Sequence, residues 1–123
     1  MTRTPLEIAQ HHGSAVAAGD IDDVLADYTD ESVMITPHGT FRGRDGARQA
    51  WGRLFEDMPN AKLDTTGQTA EGEVLLLHWA AETDKGRVTD GVDTFVFGDD
   101  GIRVQTVHYT RPDWMTDSMG SGS

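Results

Sequence analysis

The sequence contains no cysteine, which excludes disulfide bonds, thiolate metal ligands and a cysteine nucleophile. This fits a reducing compartment, because stable disulfides are typical of oxidising ones. There is no apolar run of about 18 residues that could span a membrane, and the first residues lack the apolar segment of a signal peptide. We therefore expect no membrane partner and a cytoplasmic location.

Basic residues are scarce. Lysine and arginine number 10 against 21 aspartates and glutamates, so the formal net charge is −11. Nucleic-acid binding depends on neutralising phosphates, and no basic stripe interleaved with aromatic residues offers that here. We expect no nucleic-acid partner, and we attribute the acidity to solubility.

Motifs for metals, nucleotides and covalent catalysis are also missing. His11 and His12 are adjacent, so on a helix they point in different directions, and no H-E-x-x-H or similar ligand spacing occurs. The G-x-S-x-G, P-loop and dinucleotide fingerprints are absent as well. The sequence therefore predicts no metal and no cofactor.

The N-terminal part carries helix signals, and 123 residues fit a single domain. Thr4-Pro5-Leu6-Glu7 has the residues of a capping box, which predicts a helix from there to about residue 18. Gly19 and Asp20 can end that helix and cap a second one. The apolar positions predict a third helix over 45–58. The second helix is expected to bury one face, formed by Ile21, Val24, Leu25 and Tyr28.

The rest of the chain carries strand signals separated by turns. A short strand is expected at 32–36, followed by longer ones at 61–70, 74–83, 88–97 and 102–110. Because the helical segments come first in the chain and the strands follow one another through turns, we expect an α+β fold with an antiparallel meander. Segment 74–81 is apolar on both faces, which predicts cover by the helices on one side and by a partner subunit on the other. We expect one domain over 1–112 and a polar tail over 113–123, with 120–123 as an expression remnant.

Five short motifs follow the same order along the chain as the predicted helices and strands. They are Ala-Gly-Asp-Ile at 18–21, Asp-Tyr-Thr-Asp-Glu-Ser-Val at 27–33, Thr-Pro-His-Gly at 36–39, Phe-Arg-Gly-Arg-Asp-Gly at 41–46 and Val-Asp-Thr-Phe-Val-Phe at 92–97. With these motifs, about residues 5–112 resemble the nuclear transport factor 2-like superfamily, closest to its ketosteroid isomerase and SnoaL-like (polyketide cyclase-like) branch. The resemblance implies a cone in which a curved antiparallel sheet wraps around three N-terminal helices, a cystatin-like roll. It also implies an apolar pocket and a homodimer joined through the outer face of the sheet.

The resemblance also assigns catalytic positions. The general-base aspartate of the isomerases falls on Thr36, which cannot abstract a proton from carbon at neutral pH. Their oxyanion-hole tyrosine falls on His12, and their second oxyanion donor, a protonated aspartate, falls on Asp93. With one of the three residues kept, steroid isomerisation itself is not expected.

Two histidines and one aspartate are the candidate catalytic residues. His12 shares a helix stripe with Ile8 and Val16, so it either faces the pocket or is a hydrogen-bonded core histidine. His78 and Asp93 each interrupt an apolar strand. A two-residue turn at Lys85-Gly86 would place these two side chains opposite each other, at roughly 5 Å between Cβ atoms, as a proton-transfer dyad or a buried ion pair. A three-residue turn would break the pairing.

The remaining wall of the pocket is assigned to nine apolar, aromatic or small polar residues. Such a lining is typical of a small-molecule site and equally of an ordinary core. These predicted ligand-binding residues are Tyr28, Met34, Thr36, Trp51, Phe55, Leu76, Phe95, Val107 and Tyr109.

Two functions stay open at this point. The first is a cofactor-free enzyme that isomerises or cyclises a small hydrophobic, carbonyl-containing molecule, polyketide-like or steroid-like. In it His78 or His12 is the acid or base, and Asp93 orients the histidine or donates to an oxyanion. The second is a non-catalytic ligand-binding or accessory module, favoured by the missing base at Thr36.

Overall fold

The computed structural model describes residues 3–99 and 101–115. Within these residues the chain forms three helices and one six-stranded curved sheet, so the fold is α+β, a cystatin-like cone. In chain order the elements are α1 (Pro5–Ala18), α2 (Ile21–Leu25), β1 (Tyr28–Thr36), β2 (Gly39–Arg42), α3 (Gly43–Asp57), β3 (Lys62–Glu71), β4 (Val74–Glu82), β5 (Arg87–Phe97) and β6 (Ile102–His108).

Helices α1 and α2 begin and end through local capping, at the residues that the sequence indicates. The Thr4 hydroxyl accepts from the Glu7 amide at 3.1 Å, and the Glu7 carboxylate accepts from the Thr4 amide at 2.8 Å. Gly19 ends α1 in the left-handed conformation, with φ of 68°. The Asp20 carboxylate then caps α2 by accepting from the Asp23 amide at 3.2 Å.

The sheet has the strand order β2-β1-β6-β5-β4-β3. The four long strands β3 to β6 form the expected antiparallel meander. Strand β1 pairs with β6 in parallel, and its other edge pairs with β2, a strand that the sequence reading missed. Because β2 has four largely exposed residues, it carries no apolar alternation that could have revealed it.

Tyr28 lies outside α2, contrary to the expectation from helical spacing. The helix ends at Leu25, and the Asp27 carbonyl accepts a hydrogen bond from the Ile102 amide at 2.7 Å. This long-range bond starts the pairing of β1 with β6, so the tertiary contact overrides the local helical pattern. Tyr28 is then the first residue of β1 and is fully buried in the core.

The two faces of the sheet differ in cover. The concave face packs against α1 and α3 through buried side chains such as Met34, Phe95 and Phe97. On the convex face Ile35, Val74 and Leu76 remain 45%, 44% and 37% exposed. The helices therefore lie over one face of the sheet, as predicted, and cover of the other face of segment 74–81 by a partner subunit stays a prediction.

The folded body reaches past residue 112. Met115 is buried, Trp114 packs against the core, and the Arg111 guanidinium donates to the Met115 carbonyl at 2.7 Å. Residues 116–123, which include the expected expression remnant at 120–123, lie outside the described residues. None of the helices in the described part of the chain is long and apolar enough to cross a membrane.

Candidate functional site

A cavity of about 660 Å³ lies between α1, α3 and the concave face of the sheet. Most of its wall is apolar, and His12 and Asp93 are its buried ionisable side chains. Its outer part, at the C-terminal end of α1 and along β3, is exposed. The lining residues are His12, Gly13, Val16, Ala17, Ala18, Gly19, Trp51, Leu54, Phe55, Met58, Pro59, Asn60, Ala61, Leu63, Thr65, Leu77, Trp79, Asp93, Phe95 and Val107.

Asp93 is a buried carboxyl group with one hydrogen-bond donor on each oxygen. Trp79 Nε1 donates to Oδ1 at 2.9 Å, and Gln105 Nε2 donates to Oδ2 at 3.0 Å. Burial raises the pKa of Asp93 to about 6, because the charged form loses hydration, and the two N–H donors only partly offset this. At neutral pH the group is therefore mainly a carboxylate with a pKa close to that of a useful base.

A directed chain of hydrogen bonds holds Asp93 as an acceptor. The indole of Trp51 can only donate, and it donates to the Tyr28 hydroxyl at 3.0 Å. That hydroxyl donates to Gln105 Oε1, which leaves the amide nitrogen of Gln105 facing Asp93. Reversing any link would bring two donors or two acceptors together, so the chain fixes the orientation of Gln105.

His12 lies on α1 with its ring enclosed by aromatic side chains. The centroids of Tyr28, Trp51 and Phe95 are 6.0, 5.5 and 5.4 Å from the His12 ring, all edge to face. Burial lowers the pKa of His12 to about 4, so the ring is neutral at physiological pH. His12 and Asp93 share the cavity, because His12 contacts Phe95 and Asp93 is two residues away on the same face of β5.

Asp27 is a buried carboxylate behind His12 that sequence reasoning missed. It is 0% exposed, and it accepts from Arg3 Nη1 and from His11 Nδ1, each at 2.8 Å. His12 Nδ1 is 3.8 Å from Asp27 Oδ2. One feature of the sequence could have indicated this residue. Asp27 closely follows the apolar face of α2 and directly precedes Tyr28, the first residue of β1.

The predicted contact between His78 and Asp93 is wrong. The tight turn is at Asp84-Lys85, where the Thr83 amide donates to the Gly86 carbonyl at 2.8 Å. The pairing of β4 with β5 then shifts register opposite Ala80, because β5 has one extra residue there. His78 therefore pairs with Val92, and Asp93 pairs with Leu77. Because neighbours along a strand point to opposite faces, His78 is exposed on the convex face while Asp93 faces the cavity.

The nine predicted wall residues fall into three places. Trp51, Phe55, Phe95 and Val107 line the cavity, and their role in binding stays a prediction. Leu76 is on the convex face, one residue out of phase with the inward-facing Leu75 and Leu77, so its assignment to the wall is wrong. The remaining four, all buried in the core away from the cavity lining, are Tyr28, Met34, Thr36 and Tyr109.

Thr36 and Tyr109 have local structural partners. The Thr36 hydroxyl accepts from the His38 amide at 3.0 Å within the turn between β1 and β2. The Tyr109 hydroxyl donates to Asp57 at 2.7 Å, and His38 Nε2 is 2.8 Å from the same Asp57 oxygen. Hydrogen bonds from Arg111, Tyr109 and His38 together lower the pKa of Asp57 despite its burial. These hydrogen bonds to Asp57 link the C-terminal end of α3 to the turn between β1 and β2 and to the residues that follow β6.

The described residues contain no group of three or more His, Asp or Glu side chains placed to hold a metal ion. What the cavity offers is a carboxylate and a neutral imidazole within aromatic and aliphatic walls. Such a site can bind an apolar molecule and accept a proton from it.

The fold and cavity define an α+β cone of the nuclear transport factor 2-like superfamily, with an internal pocket. The chain belongs to the SnoaL-like domain family, which matches residues 9–105. Among curated proteins, none matches the chain.

Solved structures share the same fold. An NTF-2-like protein from Burkholderia xenovorans LB400 is 20% identical, with 88% of this chain and 84% of that one covered and a TM-score of 0.70. A cystatin-fold protein from Novosphingobium aromaticivorans is 19% identical, with 89% and 99% covered and a TM-score of 0.70. TerC, co-crystallised with polyporic acid, is 13% identical, with 86% and 91% covered and a TM-score of 0.73. At these identities the likeness shows the fold alone.

Proposed function

We propose that this protein binds a small, mainly apolar, enolisable carbonyl compound in the cavity and moves a proton on it without a cofactor. The observation that carries the proposal is the Asp93 carboxylate, buried at the cavity wall with a pKa of about 6. A base with a pKa near the working pH combines a large ionised fraction with useful proton affinity.

The size and lining of the cavity support an apolar ligand of polyketide-like or steroid-like dimensions. Its volume of about 660 Å³ lies within the range of roughly 300–1,000 Å³ that is typical of small-molecule sites. The aromatic side chains of Trp51, Phe55 and Phe95 provide flat surfaces against which fused rings can pack. TerC, a structural neighbour, was co-crystallised with polyporic acid, which supports a small-molecule ligand for this fold.

The acid and base groups of this cavity differ from those of a ketosteroid isomerase. At the position of the isomerase base, Thr36 is tied into a turn. Asp93 takes the position of a protonated donor, yet here it accepts two N–H bonds and is best suited to be ionised. In the reaction we propose, Asp93 takes the proton of an enol hydroxyl and the charge moves to carbon. That carbon either receives the proton back, which is isomerisation, or attacks a second carbonyl, which is cyclisation; in the second case the new alkoxide oxygen takes the proton from Asp93.

Proton exchange tests this proposal without knowledge of the natural substrate. A catalyst of ketonisation must also catalyse enolisation, so the wild type should accelerate deuterium uptake at C1 of 6-hydroxy-2-tetralone, followed by NMR in D₂O. Asp93→Asn should lose this acceleration, and His78→Gln should keep it because His78 is exposed on the other face. Equal rates for the wild type and Asp93→Asn would refute the catalytic role.

A non-catalytic binding module is the second candidate, favoured by the threonine at the base position of the family. Two of the three tryptophans, Trp51 and Trp79, line the cavity, so their fluorescence should report binding of 2-naphthol. Binding without any tetralone exchange would favour this second candidate. No binding and no exchange would refute both.

We also propose that the protein is a homodimer joined through the convex face of the sheet. Ile35, Val74 and Leu76 are exposed there, on the face opposite the cavity. Burying this surface gains about 25 cal/mol per Å² of apolar area. Sedimentation equilibrium should give twice the chain mass, and Leu76→Lys should shift the population to monomer. A wild-type monomer at high concentration would refute the dimer.

A further inference from the structure

The Asp27 carboxylate is paired with two cationic side chains. The Arg3 guanidinium donates to Asp27 Oδ1 at 2.8 Å. His11 has Nδ1 at 2.8 Å from Asp27 and Nε2 at 2.8 Å from Asp23, so both ring nitrogens face carboxylates and both must carry protons. The hydrogen bonds to these two carboxylates raise the pKa of His11. Asp27 is therefore a buried anion directly behind His12.

This anion decides which nitrogen of the neutral His12 ring carries the proton. His12 Nδ1 is buried, lies 3.8 Å from Asp27 Oδ2 and has no hydrogen-bond partner in the part of the chain that the structure describes. With the proton on Nδ1 the N–H dipole points toward a negative oxygen, whereas with a lone pair there two electron-rich atoms would face each other in a dry environment. The proton therefore belongs on Nδ1, and Nε2 keeps its lone pair.

The other side-chain donors of the inner cavity are already used within the protein. The Trp79 indole donates to Asp93, and the Trp51 indole donates to Tyr28. At the exposed outer part, the Asn60 amide donates to Asp84. The Thr65 hydroxyl is on exposed β3. Among the described residues that line the interior, the polar side-chain atoms left for a ligand are the Asp93 carboxylate and His12 Nε2, and both are acceptors.

We infer that the ligand brings the hydrogen-bond donors itself: it is a hydroxylated apolar molecule of the phenol or enol class, with its hydroxyl groups directed at Asp93 and His12. This inference rests on the proposed binding function of the cavity. A ketone or quinone without a hydroxyl group would bury its oxygen with no side-chain donor in the interior, which is unfavourable. The enol form of a carbonyl compound supplies one such donor, and a second hydroxyl group on the molecule supplies the other.

A matched pair of probes tests the inference. 2,6-Dihydroxynaphthalene and 2,6-difluoronaphthalene have nearly the same shape, but only the first carries donors. Titration calorimetry on the wild type should show at least about tenfold tighter binding of the dihydroxy probe, the effect of one net hydrogen bond. His12→Phe keeps the aromatic packing and removes the acceptor, so it should reduce this preference, whereas His78→Gln should not change it.

Long-range ¹H–¹⁵N NMR correlations of the wild type test the tautomer directly and do not depend on any variant folding. The Nδ1–H form is expected, and a dominant Nε2–H form would overturn the inference. Equal affinity for the two naphthalenes would overturn it as well, while leaving the proposed binding function intact. If neither probe binds, the proposed function of the cavity fails, and the inference about its ligand fails with it.

Discussion

Replacing Asp93 by asparagine removes a buried ionisable group at nearly constant side-chain volume. Burial raises the pKa of Asp93 from 3.8 to about 6 in the folded protein. Between about pH 4 and pH 6 the folded state therefore holds a proton that the unfolded chain has released, and stability falls as pH rises through this window. A shift of about two pKa units corresponds to a loss of about 3 kcal/mol in the free energy of unfolding.

His12 works in the opposite direction over the same window. Burial lowers its pKa from 6.5 to about 4. Between these two pH values the unfolded chain therefore binds a proton that the folded protein does not bind. Stability that is present above the unfolded pKa is then lost as pH falls, again by about 3 kcal/mol. Because the two effects oppose each other, the pH profile of the wild type alone would hide both.

The assay is therefore a difference curve. Urea unfolding of the wild type and of Asp93→Asn, from pH 4 to pH 7.5, removes the contributions of all groups that titrate alike in both proteins. The wild type should lose about 3 kcal/mol relative to the variant between about pH 4 and 6.5, with a constant difference above that. The difference in unfolding free energy between the wild type and His12→Phe should change in the opposite direction, with the wild type gaining stability relative to that variant as pH rises. A flat Asp93 curve would show that the N–H donors of Trp79 and Gln105 cancel the effect of burial.

Three further substitutions test the supports of the site. In Gly91→Ala the new Cβ would lie 2.2 Å from the Trp79 ring, so we expect a loss of at least about 2 kcal/mol and a changed Trp fluorescence, and an unchanged unfolding midpoint would contradict the packing. Tyr28→Phe leaves an indole N–H and an amide carbonyl unpaired, which should cost about 1–3 kcal/mol in urea unfolding. Asp57→Asn removes a carboxylate that accepts hydrogen bonds from Arg111, Tyr109 and His38, which together lower its pKa. The variant should therefore be destabilised most above pH 5, where this carboxylate is ionised, and progressively less toward lower pH. A loss of unfolding free energy that does not depend on pH would refute this explanation.

The site could be predicted from the sequence only in part. The helical spacing of His12 relative to Ile8 placed the imidazole on the buried face of α1, and the family motif around Asp93 placed the carboxyl group in the cavity. The cross-strand partner of His78 depended on the turn at Asp84-Lys85 and on the register shift between β4 and β5, where β5 has one extra residue. A one-residue change in either moves a side chain to the opposite face, and neither leaves a signal in the local sequence.

By itself, the sequence determined the features that depend on near neighbours. Capping at Thr4 and Asp20, the left-handed Gly19 and the alternation of apolar residues in β5 act within a few residues, so reading them in order gives the helices and the meander. Only the tertiary structure decided the parallel pairing of β1 with β6, the burial of Asp27 behind His12 and the hydrogen-bond chain that ends at Asp93. These contacts join residues far apart in the chain, and a local pattern carries no information on which distant donor will meet which acceptor.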